Sequence, residues 1–290
     1  MKRTLDSFYT ECYEPLALRS RRPNTKRLYR TTLRFFNEHL GRKATVADLN
    51  DATVSGFAAR RLADGLAKRS VNKDLFNLLA LWRWLHKKRY VKAWPDVEME
   101  RPPVRVPIAL TRNELSRLAD AIKLEQADVG DVAGPKFWLA LMLVIWNTGE
   151  RIGAVMQLTW DRVDLASGWV RFSAEDRKGA TADNALPIAG YTVASLRAIK
   201  RSDGPVFRWP YSPTYIYRRL AKIMLRAGLP DNRNYKFHVV RKSVASHYEA
   251  AGGNATELLG HTSRKVTLAY LDPRIVKRVS AVDLLFRLGE

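Results

Sequence analysis

Arginine, histidine and tyrosine recur in three short motifs in the second half of the chain, and together they could cut a phosphodiester bond without a metal ion. The first motif, Thr148 to Leu158, follows an apolar run from Phe137 to Trp146 and reads Thr-Gly-Glu-Arg before apolar residues at near-helical spacing. This pattern predicts a buried helix, a glycine turn and a second helix that begins near Arg151.

The other two motifs supply imidazoles, a second guanidinium and a phenol. His238 and Arg241 are three residues apart, so on a helix both side chains project from one face. His261 follows a Leu-Leu-Gly sequence, and Tyr270 comes nine residues after it. We expect this tyrosine beyond a short turn, within a helical segment from Val266 to Leu271.

These residue types fit a phosphoryl transfer. Negative charge builds on the non-bridging oxygens in the transition state, and Arg151 and Arg241 could clamp those oxygens with planar, bidentate donors. Tyr270 could attack phosphorus and store the energy of the broken linkage in a phosphotyrosyl bond, so that religation needs no ATP. A phenol must lose its proton as it attacks, and His238 is the candidate base.

Composition points to a polyanionic partner. The chain has 50 Lys and Arg against 29 Asp and Glu, a formal net charge of +21, and 46% hydrophobic residues. Residues 1–105 carry 23 basic and 11 acidic residues and the remainder 27 and 18, so both halves are expected to contact DNA. One cysteine rules out an intramolecular disulfide, and no convergent carboxylates suggest a metal-dependent nuclease.

The length allows two cored domains. Residues 98–108 are proline-rich and charged without helical periodicity, which predicts a linker between domains at 1–97 and 109–290. Thr111 and Glu114 form a capping box at the start of the next helix. The first domain reads as helices only, and the second as mainly helical with one small sheet. The predicted helices are Thr4–Leu16, Asn24–Leu40, Val46–Leu66 with an interruption near Leu49, Ser70–Lys88, Thr192–Lys200, Pro213–Ala227 and His238–Ala251, and the predicted strands are Thr159–Val163, Trp169–Phe172 and Ala185–Ile188.

The three motifs resemble those of the tyrosine recombinases, the phage integrase family of site-specific DNA recombinases, in family order and over nearly the whole chain. Each motif alone is weak evidence for catalysis, because arginines often contact solvent and most tyrosines only pack in a core. The resemblance rests on all three motifs occurring in the order that the family has. It implies an N-terminal helical, SAM-like core-binding domain that forms one jaw of a clamp around duplex DNA. It also implies a mainly helical catalytic domain with a small antiparallel sheet.

Two further site residues follow from the resemblance. The family uses a lysine on a β-hairpin, and Lys178, the only lysine between Lys136 and Lys200, fits this position ahead of Leu186-Pro187-Ile188. Lys178 is the candidate acid for the 5′ leaving oxygen. The resemblance implies that His261 donates a hydrogen bond to the phosphate and supports the placement of the tyrosine.

The first motif departs from the family at two positions. Ala154 stands where an acidic residue is typical, three residues after the arginine, and Glu150 stands where the family usually has an apolar residue. Glu150 could partly supply the missing charge if its side chain folds inward. The candidate tail, from Arg274 to Leu288, is amphipathic; it could pack on its own core, or dock on a neighbouring protomer as in relatives.

We therefore expect a cofactor-free, metal-free recombinase that acts as a homotetramer on paired double-stranded DNA core sites, in some systems with accessory DNA-bending proteins. The alternatives are a type IB topoisomerase-like enzyme, which would not need two paired sites, and a non-catalytic DNA-binding regulator derived from an integrase. No apolar run suits a membrane span or a signal peptide. The expected location is cytoplasmic, with the nucleoid or, for a viral protein, host DNA.

Overall fold

The computed structural model describes residues 3–179 and 182–276. The chain divides into two compact units, Met1–Val104 and Arg105–Glu290. Residues 93–111, which contain the predicted linker, form no helix or strand. No helix in the described ranges combines the length and apolar character needed to cross a bilayer. Within the same ranges, no group of three or more His, Cys, Asp or Glu side chains is arranged to hold a metal ion.

The first unit is built from helices, as the sequence predicts. Its core is apolar, with Phe36, Phe57 and Trp82 fully buried. The predicted helix Thr4–Leu16 is interrupted by a π-helical stretch at Tyr9–Tyr13, and the predicted break near Leu49 separates a 3-10 turn from the next helix. The helices are α1 (Leu5–Phe8), α2 (Glu14–Ala17), α3 (Pro23–Leu40), α4 (Asp51–Ala63) and α5 (Lys68–Lys87), with the 3-10 turn at Val46–Asp48.

The second unit is mainly helical around its own core. Its first helix begins after the predicted capping box: the Thr111 hydroxyl accepts from the Glu114 N–H, and the Glu114 carboxylate accepts from the Thr111 N–H at 2.8 Å. The helices are α6 (Arg112–Lys123), α7 (Gly134–Thr148), α8 (Ile152–Val155), α9 (Gly190–Arg197), α10 (Tyr215–Arg226), α11 (Phe237–Ala250), α12 (Ala255–Leu258) and α13 (Arg264–Leu268). Trp138 and Ile145 of α7 are fully buried, which makes this helix the centre of the unit.

One small antiparallel sheet has the order β1 (Val163–Asp164), β2 (Trp169–Phe172) and β3 (Asn184–Pro187). The predicted strand Thr159–Val163 is wrong over most of its length, because residues 160–162 form a 3-10 turn. Trp160 and Val163 are both buried, and a 3-10 turn places residues three apart on one side. The alternation that suggested a strand was therefore a short helical repeat.

The chain beyond α13 differs from the sequence prediction. The predicted helix Val266–Leu271 ends earlier, at Leu268, and Tyr270 lies in a turn whose N–H donates to the Thr267 carbonyl at 2.8 Å. Val276 packs against a small buried cluster that includes Leu259. Residues 277–288, most of the predicted amphipathic tail, lie outside the described residues.

Candidate active site

A left-handed glycine turns the chain from the buried helix α7 to Arg151. Gly149 has φ +63° and donates its N–H to the Ile145 carbonyl at 2.8 Å, which ends the helix. Arg151 then caps α8 in an extended conformation, close to its predicted place. Its guanidinium is half-buried and has no hydrogen-bond partner among the described residues.

Arg241 is the buried anchor of the site. It lies on α11, one turn after His238, and its side chain is 1% exposed. It donates to the Gly149 carbonyl and, at 3.0 Å, to the Leu259 carbonyl, whereas its Nε is buried without a partner in the described structure. Burial and then the positive charge of Arg151 lower the pKa of Arg241 to about 10, so it stays protonated at neutral pH.

The two ring nitrogens of His261 contact Arg241 and Thr267. Its Nε2 lies 3.3 Å from Arg241 Nη2, and its Nδ1 lies 3.1 Å from the buried Thr267 Oγ1. Because a guanidinium can only donate, Nε2 must accept and the ring proton must sit on Nδ1. Burial and the charges of Arg241 and Arg151 lower the pKa of His261 to about 4, which keeps the ring neutral at pH 7.

His238 is also neutral, although part of its side chain is exposed. Desolvation by the surrounding protein atoms is the largest cause of its lowered pKa, and the positive charges of Lys242, Arg241 and Arg151 lower the pKa further. Together they lower the pKa of His238 to about 4. A neutral imidazole can accept a proton, so His238 is able to act as a base at physiological pH.

Tyr270 packs among these groups. Its ring centroid is 5.0 Å from that of His238 and 4.7 Å from that of His261, and the Arg241 guanidinium carbon is 5.8 Å from it. Its carbonyl accepts from the Ser246 hydroxyl at 3.1 Å. The structure therefore brings five of the six predicted site residues together, with Arg151 near enough to lower both imidazole pKa values.

Lys178 is the predicted site residue that the structure does not bring into contact with the others. It lies in the loop between β2 and β3, where its side chain is exposed. No described residue forms a hydrogen bond or ion pair with its amine. Residues 180 and 181, close behind it in the same loop, lie outside the described ranges.

Glu150 and Arg177 form a buried ion pair beside the site. Glu150 is 1% exposed, so it does fold inward, and its Oε1 accepts from Arg177 Nε at 2.6 Å. Its Oε2 lies 3.8 Å from Arg241 Nη1. Ala154, where the acidic residue was expected, is also buried. Nothing in the motifs singled out Arg177, because its partner is 27 residues away in another segment.

The site therefore presents arginines, two neutral imidazoles and a phenol, with one buried carboxylate behind them. Such a set can bind a phosphodiester, accept a proton from the phenol and stabilise charge on phosphoryl oxygens. Comparison with known proteins agrees with this chemistry. Residues 109–275, more than half of the chain, match the phage integrase family, and residues 13–89 match the N-terminal SAM-like domain of phage integrases. The chain belongs to the phage integrase family, the tyrosine recombinases.

This tyrosine recombinase is similar to bacterial proteins named tyrosine recombinase XerC. That of Agrobacterium fabrum is 27% identical over 265 residues, which cover 83% of this chain and 80% of the relative. That of Mesorhizobium japonicum is 27% identical over 284 residues, covering 90% and 89%. That of Neisseria meningitidis is 29% identical over 229 residues, covering 73% and 72%.

Solved structures share the fold. The integrase of the Tn1549 transposon, in complex with transposon right end DNA, superposes with a TM-score of 0.76 at 13% identity and covers 97% of each chain. The lambda integrase tetramer bound to a Holliday junction gives a TM-score of 0.73 at 19% identity, covering 96% of this chain and 80% of that one. The predicted fold class, a SAM-like helical domain followed by a mainly helical catalytic domain with a small sheet, is confirmed.

Proposed function

We propose that this recombinase breaks and rejoins DNA at a specific site through a 3′-phosphotyrosyl intermediate, with neither metal nor ATP. The observation that carries the proposal is the packing of the Tyr270 ring against two neutral imidazoles, His238 and His261, beside the buried guanidinium of Arg241. A tyrosine that only fills a core does not need two uncharged bases and a positive charge around its ring.

The proposed cleavage step moves one proton at each end of the reaction. The Tyr270 oxygen attacks phosphorus and forms the O–P bond, while His238 takes the phenolic proton. The bond from phosphorus to the 5′ oxygen breaks, and Lys178 protonates that oxygen as it leaves. Religation reverses the step: the 5′ hydroxyl of a strand attacks the phosphotyrosine, and Tyr270 leaves with a proton from His238.

The guanidiniums and His261 stabilise the transition state. Arg151 and Arg241 supply donors and positive charge for the non-bridging oxygens. In the free protein His261 Nε2 accepts from Arg241 and carries no proton of its own. To donate to a phosphoryl oxygen, His261 therefore needs the other neutral tautomer, with its proton on Nε2 and the Thr267 hydroxyl donating to Nδ1.

The proposed substrate is duplex DNA, and the proposed assembly is a homotetramer on two paired core sites. The net charge of +21 supports a polyanionic partner, and binding should weaken steeply with salt. The support for the assembly is the fold shared with lambda integrase, whose tetramer binds a Holliday junction. We propose no specific accessory DNA-bending protein.

Covalent trapping in cells tests the function and recovers the DNA site. The wild type and Tyr270→Phe are expressed in cells that carry the source DNA, and denaturing lysis preserves covalent protein–DNA complexes, whose attached ends are sequenced. We expect adducts at one recurring sequence with the wild type and none with Tyr270→Phe. Tyr248→Phe is the matched control, because Tyr248 is exposed near the C-terminal end of α11, two turns beyond Arg241, and should give wild-type adducts.

The other outcomes separate the competing functions. Adducts scattered over unrelated sequences, with relaxation of single plasmids, would favour a topoisomerase-like enzyme. DNA binding without any adduct in either protein would favour a non-catalytic regulator. Adducts that persist in Tyr270→Phe would reject Tyr270 as the nucleophile.

A further inference from the structure

Arg177 is buried in the loop between β2 and β3, directly before the exposed Lys178. Its side chain is 8% exposed. Its Nε donates to Glu150 Oε1 at 2.6 Å, and its Nη1 donates to the Ala182 carbonyl at 3.3 Å. An arginine is seldom buried this far without a partner for its charge, so the ion pair with Glu150 fixes where this part of the loop lies.

The far end of Arg177 lies against the backbone that leads into His261. A Cβ added to Gly260 would stand 2.7 Å from Arg177 Nη2, which is closer than real contacts allow. Gly260 also has φ +61°, which favours glycine there. Arg177 therefore contacts the segment that ends in His261 as well as the motif that contains Arg151.

The carboxylate of Glu150 completes the connection. Its Oε2 accepts from the Arg151 N–H at 3.3 Å and lies 3.8 Å from Arg241 Nη1. One buried carboxylate thus contacts the first motif, the helix α11 and the β2–β3 loop. Ala154, where the resemblance implies an acidic residue, has only a methyl group and cannot supply this charge.

We propose that Arg177 is a positioning residue for Lys178: the Arg177–Glu150 pair docks the β2–β3 loop on the catalytic pocket. The inference rests on the proposed function, since it assumes that Lys178 protonates the 5′ leaving oxygen. The pair restrains the backbone one residue before Lys178, which limits where the amine can reach. Without the pair, Lys178 should be misplaced while Tyr270 and the arginines still assemble.

A substrate with sulfur in place of the bridging 5′ oxygen separates positioning from folding. A thiolate is a far better leaving group than an alkoxide and departs without a proton, so it does not need Lys178. Single-turnover cleavage is measured at saturating DNA, on the recovered site, with oxygen and sulfur substrates. Arg177→Gln and Lys178→Ala should each cut the oxygen substrate about 100-fold more slowly than the wild type. On the sulfur substrate, both should return to within about tenfold.

Further variants keep the test decisive if Arg177→Gln folds poorly. Arg177→Lys retains the charge but lacks the planar fork, and Glu150→Gln keeps the shape of the partner. Arg177→Lys should show the same rescue by sulfur, whereas Glu150→Gln should be rescued only in part, because its carboxylate also faces Arg241. The double variant Arg177→Lys/Glu150→Gln should lose no more activity than the worse single variant. Asp176→Asn is the control. Asp176 lies in the same loop as Arg177 and forms a partly exposed ion pair with Arg162, so the cleavage rate of this variant should stay within about fivefold of the wild-type rate.

The failures are distinguishable. If Lys178→Ala is rescued by sulfur but neither Arg177 variant is, the positioning role is overturned while the proposed function stands. If Lys178→Ala is not rescued either, Lys178 is not the acid, and both that assignment and the inference are rejected. If no protein forms a Tyr270 adduct with either substrate, the proposed function itself is rejected.

Discussion

Gly149, the left-handed glycine between α7 and Arg151, should tolerate no side chain. Its φ of +63° costs a residue with a Cβ about 1–2 kcal/mol. A Cβ there would also stand 2.8 Å from Leu259 Cδ2 and 3.3 Å from Val244 Cγ1. Both neighbours are buried, and forcing such a contact typically costs about 1–3 kcal/mol. We predict that Gly149→Ala lowers the free energy of unfolding by about 2–5 kcal/mol.

Gly153 is the matched control, four residues along the same motif. It is exposed in α8, its φ is not in the left-handed range, and a Cβ there would meet nothing within 4 Å. Gly153→Ala should therefore be neutral or stabilise the protein by up to about 1 kcal/mol. Urea unfolding of the full chain, followed by tryptophan fluorescence, measures both variants. Equal midpoints for the two variants would refute the reasoning.

A double variant separates strain from crowding. Leu259→Ala removes the closer of the two atoms that the new Cβ would meet, so Gly149→Ala made in that background should retain the backbone strain of about 1–2 kcal/mol and only the milder contact with Val244. The Gly149 carbonyl also accepts from Arg241, and the single variant should slow cleavage at saturating DNA. A full cost of Gly149→Ala in the Leu259→Ala background would contradict the contact as its cause.

Three more perturbations have definite expected results. Arg241→Lys should slow single-turnover cleavage about 100-fold, because an ammonium cannot reach two carbonyls and the phosphate together; a rate within a few-fold of the wild type would contradict this. Since the pKa of His238 is lowered to about 4, cleavage at low DNA concentration should stay level from pH 7.5 to about 5 and fall below that, and an acidic limb centred near 6.5 would contradict the lowered pKa of this base. The lowered pKa of His238 also means that the chain takes up a proton when it unfolds between about pH 4 and 6.5. The stabilisation from neutral His238 is therefore full above about pH 6.5 and is lost as the pH falls towards 4. Asp272→Asn should lower the free energy of unfolding by about 1–3 kcal/mol at pH 7, since the buried carboxylate accepts from the Ala109 N–H at 2.8 Å and pairs with Arg274. Arg274 and the backbone donors lower the pKa of Asp272 despite its burial, so the difference should persist down to about pH 4 and vanish as the pH falls through the folded pKa, as urea midpoints at several pH values would show.

Local patterns predicted the parts of the fold that depend on local physics. The capping box at Thr111 fixed the start of α6, and the spacing of His238 and Arg241 placed both on one helix, α11, within a residue of its observed bounds. The same reasoning failed for Tyr270. Apolar periodicity continued through the tyrosine, but its N–H bonds three residues back, to Thr267, and the helix has already ended.

Contacts between distant segments could not be predicted in this way. In the sequence, Glu150 is notable only as an acid at a position where the family usually has an apolar residue. Whether its side chain faces inward depends on Arg177, 27 residues later. Arg177 carries no signal, because an arginine in a basic chain usually faces solvent. The tautomer of His261 depends on two neighbours, Arg241 and Thr267, that the fold brings together.

The most direct test of the central claim is the covalent bond itself. The adduct trapped at the recovered DNA site is digested with trypsin and nuclease, and the peptide that retains a nucleotide is sequenced by mass spectrometry. We predict a nucleotide joined through its 3′ phosphate to Tyr270, with a free 5′ hydroxyl on the other side of the break. A nucleotide on another residue, or a 5′-phosphate linkage, would contradict the account.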